Sequence, residues 1–147
     1  MIIAFGCDPN AVDFKTALMV HAAQLGHEVR DLGSDDPIYA DTAIAVATTV
    51  AEGRADRGFV LCGTGIGVSI AANKVHGAYC ALLSDVYQAQ RAQLSNNANI
   101  IAMGAQVTGI ELAKCLLAEY LGESYDPTSR SAPKVAAIVR YETGASK

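Results

Sequence analysis

Residues Phe59–Lys74 read FVLCGTGIGVSIAANK. The apolar run ends at Cys62. Glycines follow at 63, 65 and 67 with Thr64 among them, and small and polar residues then recur at helical spacing as far as Asn73 and Lys74. A buried strand that passes through glycines into a helix turns successive backbone N–H groups toward one point, at the positive end of the helix. Such a cradle suits a carboxylate, a phosphate, or the enediolate formed when a proton leaves carbon. Two better-known phosphate loops fail here. The dinucleotide fingerprint GxGxxG lacks its third glycine, because Val68 stands there in one register and Ile70 in the other; no Gly-Lys-Ser/Thr follows to make a P-loop.

The same pattern of short apolar run and amphipathic segment repeats on both sides of this stretch. MIIAFG, HEVRDLG, GFVLCG, AYCALLS and NIIAMG read as strands apolar on both faces, as strands covered by helices on either side should be. Helices are expected over Val12–Leu25, stopped by Gly26, and from Pro37 to Gly53. Thr108 and Glu111 have the spacing of a capping box for a helix ending at Gly122. A last helix enters through Pro133, with Val135, Ile138 and Val139 on one face. Strands alternating with helices predict a single-domain, three-layer α/β sandwich over residues 1–147, built on an open five-stranded parallel sheet.

Composition narrows the partners. The 147 residues carry a net charge of −4 and no basic stripe with interleaved aromatics, which argues against nucleic acid. No apolar run reaches the roughly 20 residues that span a bilayer. The opening MIIAFGCD goes directly into a strand without the charged and cleavable pattern of a leader. Cys7, Cys62, Cys80 and Cys115 lack CxxC spacing, and each sits in or beside an apolar run, so buried free thiols are expected. A reduced, cytoplasmic protein without a metal site is the expectation.

In open parallel sheets, ligands bind beyond the carboxyl ends of the strands, at the switch in strand order. Asp8, in GCDPN, and Cys62, in CGTGIG, are placed there by the ends of the first and third strands. A thiol at a helix N-terminus is activated, which makes Cys62 a candidate base or nucleophile. His21, His27 and His76 have no context that marks a nucleophile's partner. A Cys–His hydrolase is thus unsupported, and a lone thiolate taking a proton from carbon, beside amides that stabilise the resulting oxyanion, is a coherent alternative. Asn96 precedes its strand and so belongs to the opposite edge of the sheet. It can join Cys62 only from a second subunit.

IAFGCD, GHEVRDLG, ADRGFVLCGTGIGVSIAANKVHG and NNANIIAMGAQVTGIELAK together resemble the ribose-5-phosphate isomerase B and galactose-6-phosphate isomerase family, from the first strand to the last helix. The resemblance implies a flavodoxin-like fold, a homodimer or homotetramer whose last helix packs on the partner, and cofactor-free aldose–ketose isomerisation of a sugar or sugar phosphate through an enediolate. It implies roles by position. Cys62 is the base between C1 and C2. Thr64 and Asp8 assist at the sugar oxygens. Gly63, Gly65 and Gly67 form the anion hole, and Asn96 comes from the neighbouring subunit. Arg130, and Lys134 in place of the usual arginine, hold the phosphate.

The chain departs from that pattern where ring opening is done. Pro9 stands where the ribose-5-phosphate enzymes have a histidine, Ser95 stands where they have the acid–base histidine, and Gln106 stands where arginine is common. A serine hydroxyl is far too weak an acid to replace imidazole near neutral pH. A base kept and a ring opener lost fit a substrate that is already open, such as a tetrose 4-phosphate, whose O4 is esterified and cannot close a furanose. They also fit one subunit of a hetero-oligomer, as in galactose-6-phosphate isomerase, or a sugar-phosphate-binding protein without turnover. The retained Cys62–Thr64 pair favours an enzyme, since binding needs no thiol.

Overall fold

The five apolar runs form one parallel sheet. The computed structural model describes residues 1–144, and in it β1 (Ile2–Cys7), β2 (Glu28–Asp31), β3 (Arg57–Cys62), β4 (Cys80–Leu82) and β5 (Ile100–Gly104) lie in the order β2-β1-β3-β5-β4. All pairings are parallel, with Phe5 opposite Phe59 and Phe59 opposite Ile101. Parallel neighbours need crossover connections. These are α1 (Val12–Gln24), α2 (Tyr39–Ala51), α3 (Ile66–Ala72) and α4 (Val86–Leu94), followed beyond the sheet by α5 (Ile110–Gly122) and α6 (Ala132–Thr143). The part of the expected domain at 145–147 lies outside the described residues.

Alternation along each strand divides the core into two layers. Phe5, Phe59, Leu61, Ile101 and Met103 face α1, α4 and α5, whereas Ala4, Val60, Cys62 and Ala102 face α2 and α3. In the first layer Phe5 stacks on Phe59 at 5.0 Å between ring centroids, and Tyr120 meets Phe59 edge-on at 5.7 Å. Tyr120 lies under the Arg57 guanidinium, which is buried and donates to the Tyr120 and Glu123 carbonyls. Compared with the flavodoxin order 2-1-3-4-5, the last two strands are exchanged: β4 takes the outer edge and β5 returns inside it. The switch point between β1 and β3 is unaffected, and the site is built there.

Several local expectations are corrected. Strands β2 and β4 are edge strands, so β2 is largely exposed and β4 only half-buried. The Thr108–Glu111 capping box does not form, because the N-cap is Gly109; Glu111 instead accepts from Lys114 one turn on, at 2.8 Å. Cys7 and Cys62 are buried as expected, but Cys80 is half-buried and Cys115 is exposed on the outer side of α5. On α6, Val135 is buried while Ile138 and Val139 remain exposed, which leaves its apolar face open.

Candidate active site

The carboxyl ends of β1 and β3 are tied together before they diverge. The Asp8 N–H donates to the Leu61 carbonyl at 2.9 Å, which places Asp8 beside Cys62. The Asp8 carboxylate accepts the Asn10 N–H at 2.8 Å and caps a single 3-10 turn, Pro9–Ala11, so the residue is 9 % exposed and held in one orientation. Cys62 is 6 % exposed. Its Sγ receives the Gly65 N–H at 3.1 Å, and the Thr64 hydroxyl, one residue back, accepts the Ile66 N–H at 3.3 Å. Asp8, Asn10, Tyr39, Cys62, Gly63, Thr64 and Gly67 line a cleft of about 220 Å³.

The glycines are dictated by what surrounds them. Gly65 is the N-cap of α3 with φ of +79°, in the left-handed region. A Cβ there would lie 2.5 Å from Leu82 Cδ1 and 2.9 Å from the Met103 carbonyl carbon. Gly67 faces the Tyr39 ring, which a Cβ would meet at 2.5 Å. Behind the loop, the Ala105 and Gln106 N–H groups donate to the Cys62 and Gly63 carbonyls at 2.9 Å each, fixing the cradle against the end of β5. The far end of the opening stretch is structural: Asn73 pairs its side-chain amide with both the N–H and the carbonyl of Cys80, at 2.8 and 2.9 Å, and holds the start of β4.

The remaining expected site residues are elsewhere. Asn96, Arg130 and Lys134 line a second cleft of about 390 Å³ together with Tyr87, Arg91 and Ser95. Asn96 precedes β5 at the amino edge of the sheet, whereas Cys62 ends β3 at the carboxyl edge. One subunit therefore carries two separate clusters. Asp8, Cys62, Gly63, Thr64 and Gly67 gather in the first cleft, with Gly65 immediately behind Cys62, and Asn96, Arg130 and Lys134 gather in the second.

Sequence reasoning missed three lining residues. Asn10 had a signal, since it lies two residues past Asp8 in the same turn. Tyr39 had none, because its contact with Gly67 is made between helices distant in sequence. Arg91 could have been found one turn before Ser95. Its Nε donates to Ser95 Oγ at 2.8 Å, and a second guanidinium nitrogen donates to the same oxygen.

Burial pushes the Cys7 thiol up to about 11, and the Cys80 thiol up to about 12. Among the described residues there is no group of three His, Cys, Asp or Glu side chains placed to hold a metal ion, and no helix long and apolar enough to cross a membrane.

A profile of the Ribose/Galactose Isomerase family matches residues 3–138. The chain belongs to that family. It is 44% identical over 146 residues to D-erythrulose-4-phosphate isomerase 2 of Mycolicibacterium smegmatis, covering 95% of this chain and 96% of that protein. It is equally 44% identical over 144 residues to the D-erythrulose-4-phosphate isomerase of Pectobacterium atrosepticum, covering 95% and 94%. Ribose-5-phosphate isomerase B of Escherichia coli is 40% identical over 143 residues, covering 95% of each chain. The solved ribose-5-phosphate isomerase B of Clostridium thermocellum superposes with a TM-score of 0.91 at 36% identity, covering 99% of this chain and 100% of the other. The protein is thus a sugar-phosphate isomerase of the ribose/galactose isomerase family, with that family's fold.

Proposed function

We propose that the protein interconverts the ketose and aldose forms of a four-carbon sugar phosphate, D-erythrulose 4-phosphate and its aldose isomer, through an enediolate and without a cofactor. Cys62 is the base. As thiolate it takes a proton from C1 of the ketose and returns it to C2, while the hydroxyl proton moves from O1 to O2, so that no atom is gained or lost. The observation that carries this is the setting of Cys62 Sγ: it lines the cleft, with the Gly65 N–H on it and Thr64 and Asp8 on the same walls. An amide donor at the sulfur stabilises the negative charge there. Gly63 and Gly67, which line the cleft, face the enediolate oxygens, while the Gly65 N–H is taken up by the Cys62 sulfur; Thr64 and Asp8 orient the hydroxyls.

The choice of a four-carbon substrate is supported by Ser95 and by the relatives. The Ser95 oxygen is occupied by Arg91 and its hydroxyl is too weak an acid to protonate a ring oxygen, and Pro9 has no proton to give, so neither residue opens a furanose ring. A tetrose 4-phosphate has no free O4 and needs no ring opening. Two relatives at 44% identity are named for that substrate. The second cleft, with Arg130 and Lys134, is the place for the phosphate. It reaches Cys62 across a homodimer or larger homo-oligomer, in which the open apolar face of α6 packs on a partner and Asn96 enters the partner's site.

The test is incubation of the purified chain with D-erythrulose 4-phosphate in deuterated water, followed by NMR. The expected result is aldose formation with deuterium at C2, and much slower turnover of ribose 5-phosphate. Preference for ribose 5-phosphate would overturn the four-carbon assignment. Inactivity toward every sugar phosphate until a related chain is added would favour the hetero-oligomer instead.

A further inference from the structure

The second cleft holds one more cation than the resemblance supplies. Arg91 enters it from α4, while Arg130 and Lys134 enter from the side of α6. Among the described residues none of the three forms an ion pair, and none of the residues lining the cleft is acidic. Three unneutralised cations around one cavity, in a chain of net charge −4, concentrate positive potential at that point. Arg91 is also held: two of its nitrogens donate to Ser95 Oγ. A hydroxyl oxygen has two lone pairs, so this double contact fills both and leaves Ser95 only its own proton to give outward. The guanidinium has more donors than Ser95 can accept, and the remainder are free to face the cleft.

We propose that Arg91, anchored by Ser95, is a phosphate-binding residue that selects for a short sugar chain. A phosphomonoester held here has the Arg91 fork and the Ser95 hydroxyl on one wall, with Arg130 and Lys134 on the other. Planar, bidentate recognition of phosphate is what arginine does better than lysine. Because Ser95 is followed directly by Asn96, a phosphate seated on Arg91 lies against the Asn96 end of the cleft. That brings the phosphate toward the sugar and leaves room for fewer carbons between it and the reacting C1 and C2. Ser95 is then the anchor of a specificity residue. The inference rests on the reading of this cleft as the substrate's phosphate site.

The experiment has an arm that does not depend on turnover. Inorganic phosphate binding to the wild type, Arg91→Ala, Arg91→Lys and Ser95→Ala is measured by calorimetry, with thermal melts to verify folding. Loss of a charge-assisted bond predicts binding weakened about tenfold to hundredfold in Arg91→Ala, partial rescue by Arg91→Lys, and a smaller loss in Ser95→Ala. In the kinetic arm, Arg91→Ala raises KM for D-erythrulose 4-phosphate more than it lowers kcat, and the preference over ribose 5-phosphate narrows. Unchanged phosphate affinity in a folded Arg91→Ala protein would overturn the proposal, as would an unchanged substrate preference. Phosphate binding that depends on Arg91, in a wild type that does not turn over the tetrose phosphate, would leave Arg91 as a phosphate ligand and sink the four-carbon reading.

Discussion

The Gly65 N–H points at Cys62 Sγ from 3.1 Å, and the same glycine holds the left-handed turn that starts α3. One residue thus sets both the backbone path and the environment of the thiol. Gly65→Ala would force an L-residue to φ of +79° and push its Cβ against Leu82 and the Met103 backbone. Backbone strain and overpacking each cost about 1–3 kcal/mol. Chemical denaturation is expected to show a loss of at least about 2 kcal/mol. A variant as stable as the wild type would mean that the loop relaxes at no cost.

Cys62→Ala tests the base itself. The side chain is buried, but it carries no packing that alanine would leave as a large void, so the variant is expected to fold. A positioned base contributes about 10² to 10⁴ in rate. Deuterium exchange at C2 should fall by that factor, with substrate binding retained. Exchange near the wild-type rate would transfer the role to Asp8, the carboxylate lining the cleft.

How much of this was legible in the sequence depended on whether a feature is local. The cradle was, because strand, glycines and helix are consecutive, and the alternation of apolar runs gave five strands and the layers around them. The placement of Asn96 at the opposite edge from Cys62 followed from which end of a strand each residue occupies. Residues that meet through tertiary packing were not visible: Tyr39 over Gly67 is one case, and the exchange of β4 and β5 is another. The failed cap at Thr108 is a boundary error of one residue, since Gly109 takes the N-cap and turns Glu111 toward Lys114. Cys115 was misplaced because a thiol in an apolar helix run is buried only when it lies on the inner face.

Assembly of the two half-sites can be tested by mixing two inactive proteins. Cys62→Ala damages the first cleft, and Asn96→Ala the second. If each site combines one cleft from each subunit, co-refolded mixtures contain heterodimers with one intact site. Activity should then return to about a quarter of the wild type, the value for random pairing in a two-fold dimer. No recovery in a mixture shown to exchange subunits would mean that Asn96 does not complete the partner's site.

The acid limb of stability should carry the signature of Asp31. Lys15, 2 % exposed on α1, donates to Asp31 at the end of β2 and to the Gly33 carbonyl, and the Gly33 N–H donates to Asp31 at 2.9 Å. Burial pushes the Asp31 carboxyl up, but the Lys15 bond, the Gly33 amide and the Lys15 charge outweigh it, and the net shift is downward. A lowered carboxyl stabilises the fold at pH values above its unfolded-state range, and that stability is lost as pH falls through the native value. Asp31→Asn is expected to cost about 1–2 kcal/mol near neutral pH, less than a fully buried pair because Asp31 faces solvent. Its denaturation midpoint should converge with the wild type in acid. A gap independent of pH would mean that Asp31 acts through shape alone.

Regaining ring opening takes a usable acid at position 95. Histidine at position 95 alone would sit against the Arg91 guanidinium, and a nearby cation disfavours the imidazolium. The acid form needed to protonate the ring oxygen would be scarce. Ser95→His is therefore expected to stay poor on ribose 5-phosphate, and to lose activity on D-erythrulose 4-phosphate because Arg91 has lost its anchor. Combining Ser95→His with Arg91→Leu removes the cation and frees the imidazole to act as an acid. A gain of about 10- to 100-fold on ribose 5-phosphate is the share of general-acid catalysis that imperfect geometry could supply. Equal gains in the single and double variants would show that Arg91 does not control the protonation of the residue at 95. No gain in either would show that opening the ring is not what keeps pentose turnover slow, and the length of the cleft set by Arg91, Arg130 and Lys134 would remain as the cause.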